Sequence, residues 1–236
     1  MSYLVKPNVI LLPGLLNDER LWQAQVQGLA AEANVSVADL TCGDNIADLA
    51  ASVLEQAPVG MFALAGLSMG GYVALEIMRQ APQRVMALAL LDTSARPDTE
   101  EARAYRLSLM ALAQRDFPAV SRSLRDRLLY PDHLQDEVLA AQLDEMAAAI
   151  GKEGYMRQQQ AIMTRPDSRP DLPEIDCPTL VLCGREDRIT PLEVHEEMMA
   201  LIPHAGLTII ERCGHLSALE QPARVTAALH DWLHRH

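Results

Sequence analysis

The sequence predicts an α/β protein: a mostly parallel, doubly wound sheet carrying a helical insertion. Three observations lead there. Short apolar runs alternate with amphipathic stretches along most of the 236 residues, the pattern of strands joined by crossover helices. The uncharged stretch from Gln56 to Leu75 approaches membrane-spanning length, but Gly66, Ser68, Gly70 and Gly71 interrupt it, so it reads as a buried strand, a turn and a helix. The alternation then stops between Arg96 and Arg169, where helix follows helix with no strand-like run.

Taken in order, Asn8 to Leu12 is the first strand, broken by Pro13-Gly14, and Glu19 to Ala31 the first helix, with Trp22 packing it onto the sheet. A strand over Asn34 to Leu40 and a helix over Ile46 to Glu55 come next. The strand Met61 to Leu67 runs into a helix over Met69 to Arg79, which Pro82 closes, and the strand Val85 to Leu91 follows. After the insertion come a strand over Pro178 to Cys183, a helix over Pro191 to Leu201 and a strand over Leu207 to Glu211. A helix over Leu216 to His234 completes the pattern. The expected organisation is a core of residues 1–95 and 171–236 with a helical insertion at 96–170. The insertion is close to charge-balanced, with eleven Lys/Arg and twelve Asp/Glu from Arg96 to Arg169; nine and twenty remain elsewhere.

A net charge of −12 argues against nucleic acid or an anionic membrane surface as partner, since both are bound by Lys/Arg neutralising phosphate. Small molecules are the expected partners. Val9-Ile10-Leu11-Leu12 is too short for a signal or membrane segment. Cys42, Cys177, Cys183 and Cys213 have no metal-ligand spacing, and a chain of this size has no need of disulfides, so they are expected to be free thiols in a reducing cytoplasm.

The stretch Leu64-Ala65-Gly66-Leu67-Ser68-Met69-Gly70-Gly71-Tyr72 places Gly-x-Ser-x-Gly between a strand and a helix. A side chain at either flanking glycine would collide with neighbouring backbone, and the sharp turn holds Ser68 up at the carboxyl edge of the sheet. The Met69 N–H, at a helix N-terminus, is then aimed at a developing oxyanion. A serine is a weak nucleophile alone and requires a histidine base oriented by a carboxylate. Of seven histidines, His215 follows Cys213-Gly214 directly after the last strand, where a ring can reach the sheet's carboxyl edge. His195 lies within a helix, His204 in a connecting loop, His133 in the insertion, and His230, His234 and His236 at the C-terminus. For the acid, Asp187 stands in the loop after a buried strand and ranks ahead of two rivals, Glu186 and Asp92. The chain order Ser, Asp, His is that of Gly-x-Ser-x-Gly hydrolases.

With Leu11-Leu12-Pro13-Gly14-Leu15, Gly66-Leu67-Ser68-Met69-Gly70-Gly71, Gly184-Arg185-Glu186-Asp187 and Cys213-Gly214-His215-Leu216-Ser217-Ala218-Leu219-Glu220-Gln221-Pro222, the chain resembles the α/β-hydrolase fold family, small capped serine esterase type. The resemblance covers nearly the whole length. It implies a helical cap over the sheet and a second oxyanion donor from the Leu15 N–H. It also implies a hydrolase of carboxylic esters, with thioesters or lactones as variants, working through an acyl-enzyme without a cofactor. Carbon–carbon bond hydrolases, cofactor-free haloperoxidases and low-turnover ligand-binding receptors share the scaffold. Two departures stand out: Pro13-Gly14 replaces the frequent His-Gly, and the strands that precede the first one in larger relatives are expected to be absent, leaving Asn34 to Leu40 as the expected outer edge.

Other features read as structural. Met110, Met146, Met156 and Met163 are expected as core filler, with an adaptable pocket as the alternative. His195-Glu196-Glu197-Met198-Met199 fails as a zinc helix at its fifth position, and no metal site is expected. Arg115, Arg122, Arg125 and Arg127 read as a solvated face with ion pairs to Asp116 and Asp126. Arg165 and Arg169 read as loop residues paired with Asp167 or Asp171, the alternative being a site at the pocket mouth for an anionic substrate group.

Overall fold

The computed structural model describes residues 6–234; His236 lies outside them. Six strands form one sheet: β1 (Asn8–Leu12), β2 (Asn34–Val37), β3 (Phe62–Leu67), β4 (Val85–Leu91), β5 (Thr179–Gly184) and β6 (Ala205–Ile210). Their spatial order is β2-β1-β3-β4-β5-β6, and every neighbouring pair is parallel. The chain steps from β1 outward to β2, then returns across β1 to β3 and continues in the other direction. The reversal puts a crevice at the carboxyl ends of β1 and β3, where parallel α/β sheets hold ligands. β2 is the outer edge, as expected, though it ends at Val37 rather than Leu40.

Side chains alternate between the two faces of each strand. Ile10, Leu12, Leu64, Leu88 and Leu90 pack with α2 (Ile46–Gln56), α3 (Met69–Gln80) and α7 (Leu192–Leu201). Val9, Leu11, Ala65, Ala89 and Leu91 pack on the other face with α1 (Gln23–Leu29) and α9 (Pro222–Leu233). Between β4 and β5 lie α4 (Glu100–Arg115), α5 (Phe117–Leu128) and α6 (Glu137–Met163), the last kinked at Gly151 (φ 69°). These three helices share a small core of their own, into which Leu16 from the loop after β1 inserts.

Two expected helices differ in detail. Glu19–Trp22 is a 3₁₀ turn capped by Asp18, and α1 begins only at Gln23. The helix expected over Leu216 to His234 is two: α8 (Ser217–Glu220) and α9, separated at Gln221, whose φ of −133° and ψ of 56° reflect the exclusion of helical geometry before Pro222. The four cysteines are unbonded, and no helix among the described residues is long and apolar enough to cross a membrane.

Candidate active site

β3 passes into α3 with Ser68 alone at the joint, held at φ 56°, ψ −116°, a conformation a non-glycine residue adopts only when its surroundings impose it. The surroundings are tight. A Cβ on Gly70 would stand 2.1 Å from the Leu12 carbonyl oxygen, and one on Gly66 2.3 Å from that of Gly70, so α3 starts in direct contact with β1 and β3. Three hydrogen bonds brace the turn: Ser68 N–H donates to Leu91 O (3.0 Å), Thr93 Oγ1 donates to Ser68 O (2.7 Å), and Thr93 N–H donates to His195 Nε2 (3.0 Å). His195 must then carry its proton on Nδ1, which faces Pro191 O at 3.3 Å; burial lowers its pKa to about 4, keeping it neutral. The histidine set aside as a helix residue is thus a brace for the serine turn.

The loop after β6 carries His215 back over the same edge. His215 Nε2 lies 2.8 Å from Ser68 Oγ, and Nδ1 lies 2.8 Å from Asp187 Oδ2. Asp187 is fixed by three further donors: the N–H groups of Ile189 and Thr190 on Oδ1 (2.8 and 3.0 Å) and Thr190 Oγ1 on Oδ2 (2.7 Å). Ser68, His215 and Asp187, 147 and 28 residues apart in the chain, thereby form one hydrogen-bonded series.

The two rival acids do other things. Glu186 Oε2 accepts from Cys213 N–H (2.9 Å) and steadies the histidine loop. Asp92, fully buried at the end of β4, accepts Gly184 N–H (2.9 Å) on one oxygen and Ser217 N–H (3.1 Å) and Oγ on the other, tying β4, β5 and α8 together without touching His215. Glu220, unremarked in the sequence beyond its motif, accepts Gly214 N–H (2.9 Å) on one oxygen and Tyr130 N–H (2.6 Å) on the other, which also meets His133 Nδ1 (2.8 Å). With His215 N–H donating to Leu128 O (2.7 Å), it fastens the histidine loop to the segment following α5.

Electrostatics follow from this geometry. Burial disfavours a charged His215, but the hydrogen-bonded Asp187, with Asp92 and Glu220 behind it, outweighs burial and raises its pKa above 6.5. Burial likewise disfavours ionised Asp187, and the facing His215 with the Thr190 donors overrides it, holding the carboxyl below its usual range. Asp92 makes no ion pair: burial and the charge of Asp187 push it up to about 8, against the weaker opposing pull of His215 and of its own hydrogen-bond donors.

Ser68, His215 and Leu15 line a cavity of about 470 Å³ between the sheet edge and the interposed helices. A Cβ on Gly14 would lie 3.3 Å from Ser68 Cβ, so the loop after β1 passes directly over the serine. The Leu16 N–H is consumed by Gln158 Oε1 (3.0 Å), whereas those of Leu15 and Met69 take no acceptor among the described residues. None of the four methionines weighed as pocket residues lines the cavity; Met146 and Met163 are buried. Glu32, His230 and His234 bring potential metal-ligating atoms within 4.8 Å of one another, but away from this cavity.

Similarity to known proteins agrees with the fold. The sequence profile of the Alpha/beta hydrolase family matches residues 9–229. A proposed carbamate hydrolase of Serratia proteamaculans is 26% identical, over 96% of this chain and 91% of its own. Among solved structures, a thermophilic esterase from Thermogutta terrifontis with malate bound superposes with a TM-score of 0.87 at 32% identity, covering 96% of this chain and 89% of its own. An enol-lactonase from Burkholderia xenovorans superposes at 0.89 and 25% identity, covering 99% and 93%.

Proposed function

The chain belongs to the alpha/beta hydrolase family, and from that premise we propose that it is a serine hydrolase cleaving a small carboxylic ester, thioester or lactone through an acyl-enzyme. The observation that carries this reading is the series Asp187–His215–Ser68, with 2.8 Å at both histidine nitrogens, opening on the cavity. Ser68 Oγ attacks the acyl carbon while His215 Nε2 takes its proton; Asp187 keeps Nδ1 protonated and stabilises the imidazolium. The carbonyl oxygen becomes an oxyanion held by the N–H groups of Leu15 and Met69, which take no acceptor among the described residues. The tetrahedral intermediate collapses, His215 returns the proton to the leaving oxygen or sulfur, and the acyl group stays on Ser68. Water, deprotonated by His215, then attacks the acyl carbon, and the carboxylic acid leaves as Ser68 recovers its proton.

In this reading residues 96–170 act as a cap: α4, α5 and α6 close the cavity and set which acyl and leaving groups fit. The enzyme needs no cofactor, and its four free thiols suit a reducing cytoplasm.

A panel of p-nitrophenyl esters tests the proposal. Hydrolysis by the wild-type chain falls to background in Ser68→Ala, while the melting temperature stays close to wild type, because the turn is set by backbone contacts rather than by the hydroxyl. Unchanged turnover in Ser68→Ala removes the serine from the mechanism.

A further inference from the structure

The cavity wall carries a positive charge that the protein does not neutralise. Four arginines line it, Arg96, Arg106, Arg127 and Arg165, against two acidic side chains, Asp98 and Glu101. Arg96 is paired with Glu197 (2.8 Å), Arg127 lies over the Tyr105 ring (4.8 Å), and Glu101 is exposed. That leaves Asp98 shared between two guanidinium groups. Its Oδ2 meets Arg106 Nε at 2.6 Å and its Oδ1 accepts from Arg165 Nη1, with side-chain exposures of only 4% for Asp98, 17% for Arg106 and 8% for Arg165. One carboxylate faces two partly buried cations, so the group of three holds a surplus of one positive charge in a molecule whose formal net charge is −12.

Arg165 is held rigidly. Nε donates to Arg96 O (3.0 Å), Nη1 also donates to Ile162 O (2.9 Å), and the guanidinium lies over the Tyr72 ring at 4.2 Å. Nη2 takes no acceptor among the described residues. Arg106 Nη1 donates to Gln159 Oε1 (3.0 Å), and Gln159 in turn to Tyr155 Oη (2.7 Å). Burying a cation without a counter-charge is costly, and a fixed planar guanidinium with a free edge suits a carboxylate entering the cavity. Tyr72 lies one helical turn beyond Ser68, roughly 6 Å along the α3 axis, and Ser68, Tyr72, Arg106 and Arg165 all line the same cavity. The neighbouring Arg169, by contrast, is spent on Asp167 (2.6 Å) and Glu197 (3.8 Å) and does not line the cavity.

We propose that Arg165 and Arg106 form a carboxylate subsite, so that the preferred substrate is a short acyl ester or lactone bearing a second, ionised carboxylate, such as the half-ester of a small dicarboxylic acid. This rests on the hydrolase reading above, and the test separates the two. Hydrolysis of monoethyl succinate and diethyl succinate is followed by titrating released acid, and binding of both is measured by calorimetry in Ser68→Ala. Wild type prefers the half-ester in kcat/KM by at least about tenfold, the scale of a hydrogen bond to a charged partner. The ratio of the two substrates drops by about that factor in Arg165→Gln and Arg106→Gln and shrinks with added salt in wild type. The salt arm and the wild-type ratio need no variant to fold. A ratio of one or below in wild type, or a ratio unchanged in both arginine variants, overturns the subsite while leaving ester hydrolysis standing. If neither ester is cleaved, the p-nitrophenyl panel decides the hydrolase reading, and tighter binding of monoethyl succinate than of diethyl succinate to Ser68→Ala still decides for the subsite; equal binding decides against it.

Discussion

Asp187 and Asp92 are both buried and close enough to influence each other's ionisation, yet their hydrogen bonds give them different work. Asp187 faces a histidine; Asp92 faces only N–H and O–H donors from β5 and α8. Asp187→Asn is expected to lower kcat by about 10⁴-fold, because an amide favours the wrong His215 tautomer. Asp92→Asn should instead cost roughly 1–3 kcal/mol of stability, since its amide group points a donor at other donors, with kcat reduced less than tenfold. Denaturant titration beside steady-state kinetics measures both, and the reverse ranking would move the acid to Asp92. The pH profile belongs at this scale too. In the proposed mechanism His215 acts as a base only when neutral, and its pKa is raised above 6.5, so kcat/KM should fall as pH drops through a value above 6.5. Stability runs the other way for that residue: the folded state favours the imidazolium, and this contribution is present at low pH and lost as pH rises through the raised value. Asp187, with its pKa lowered, stabilises at neutral pH and loses that contribution only as pH falls through its depressed value. Asp92 is favoured neutral, so its contribution is present below 3.8 and lost progressively as pH rises to about 8; the melting-temperature difference between wild type and Asp92→Asn should therefore shift against wild type between pH 5 and 8 and level off above that.

The serine turn is the element that fixes the site, because β1, β3 and α3 meet there with no room for a side chain. Gly70→Val should yield insoluble or unfolded chain, since its Cβ would stand 2.1 Å from Leu12 O, a backbone atom in the middle of the sheet; a soluble, active Gly70→Val would show that α3 can move off β1. Elements whose character is local were legible in the sequence. β3 and β4 are buried almost throughout and announced themselves as unbroken apolar runs, and β4 keeps the bounds read for it, Val85 to Leu91. The break between α8 and α9 was written in Pro222 but needed the backbone of Gln221 to be seen. The braces of the site were not legible. Glu220 reaches Tyr130 across 90 residues and Asp92 reaches Ser217 across 125, and such bonds leave no mark on nearby periodicity. Nothing in the local pattern marks Thr190, whose hydroxyl holds Asp187. Arg165 was read as a loop residue with an acidic neighbour; its partner is Asp98, 67 positions earlier.

At the scale of the molecule, the strand order brings the loop after β1 over the joint between β3 and α3, while the loops after β5 and β6 reach the same edge from the other side. Four separate stretches of chain therefore converge on one cavity, roofed by helices that are themselves close to charge-balanced, unlike the acidic remainder. In the proposed mechanism this convergence activates Ser68 and no other residue. The most direct measurement is labelling with a fluorophosphonate, located by peptide mass spectrometry, in wild type and in His215→Ala. One label per chain is expected, on Ser68, formed rapidly in wild type and slowed at least a hundredfold without the His215 base. Absence of label on Ser68, or labelling equally fast in His215→Ala, would contradict it.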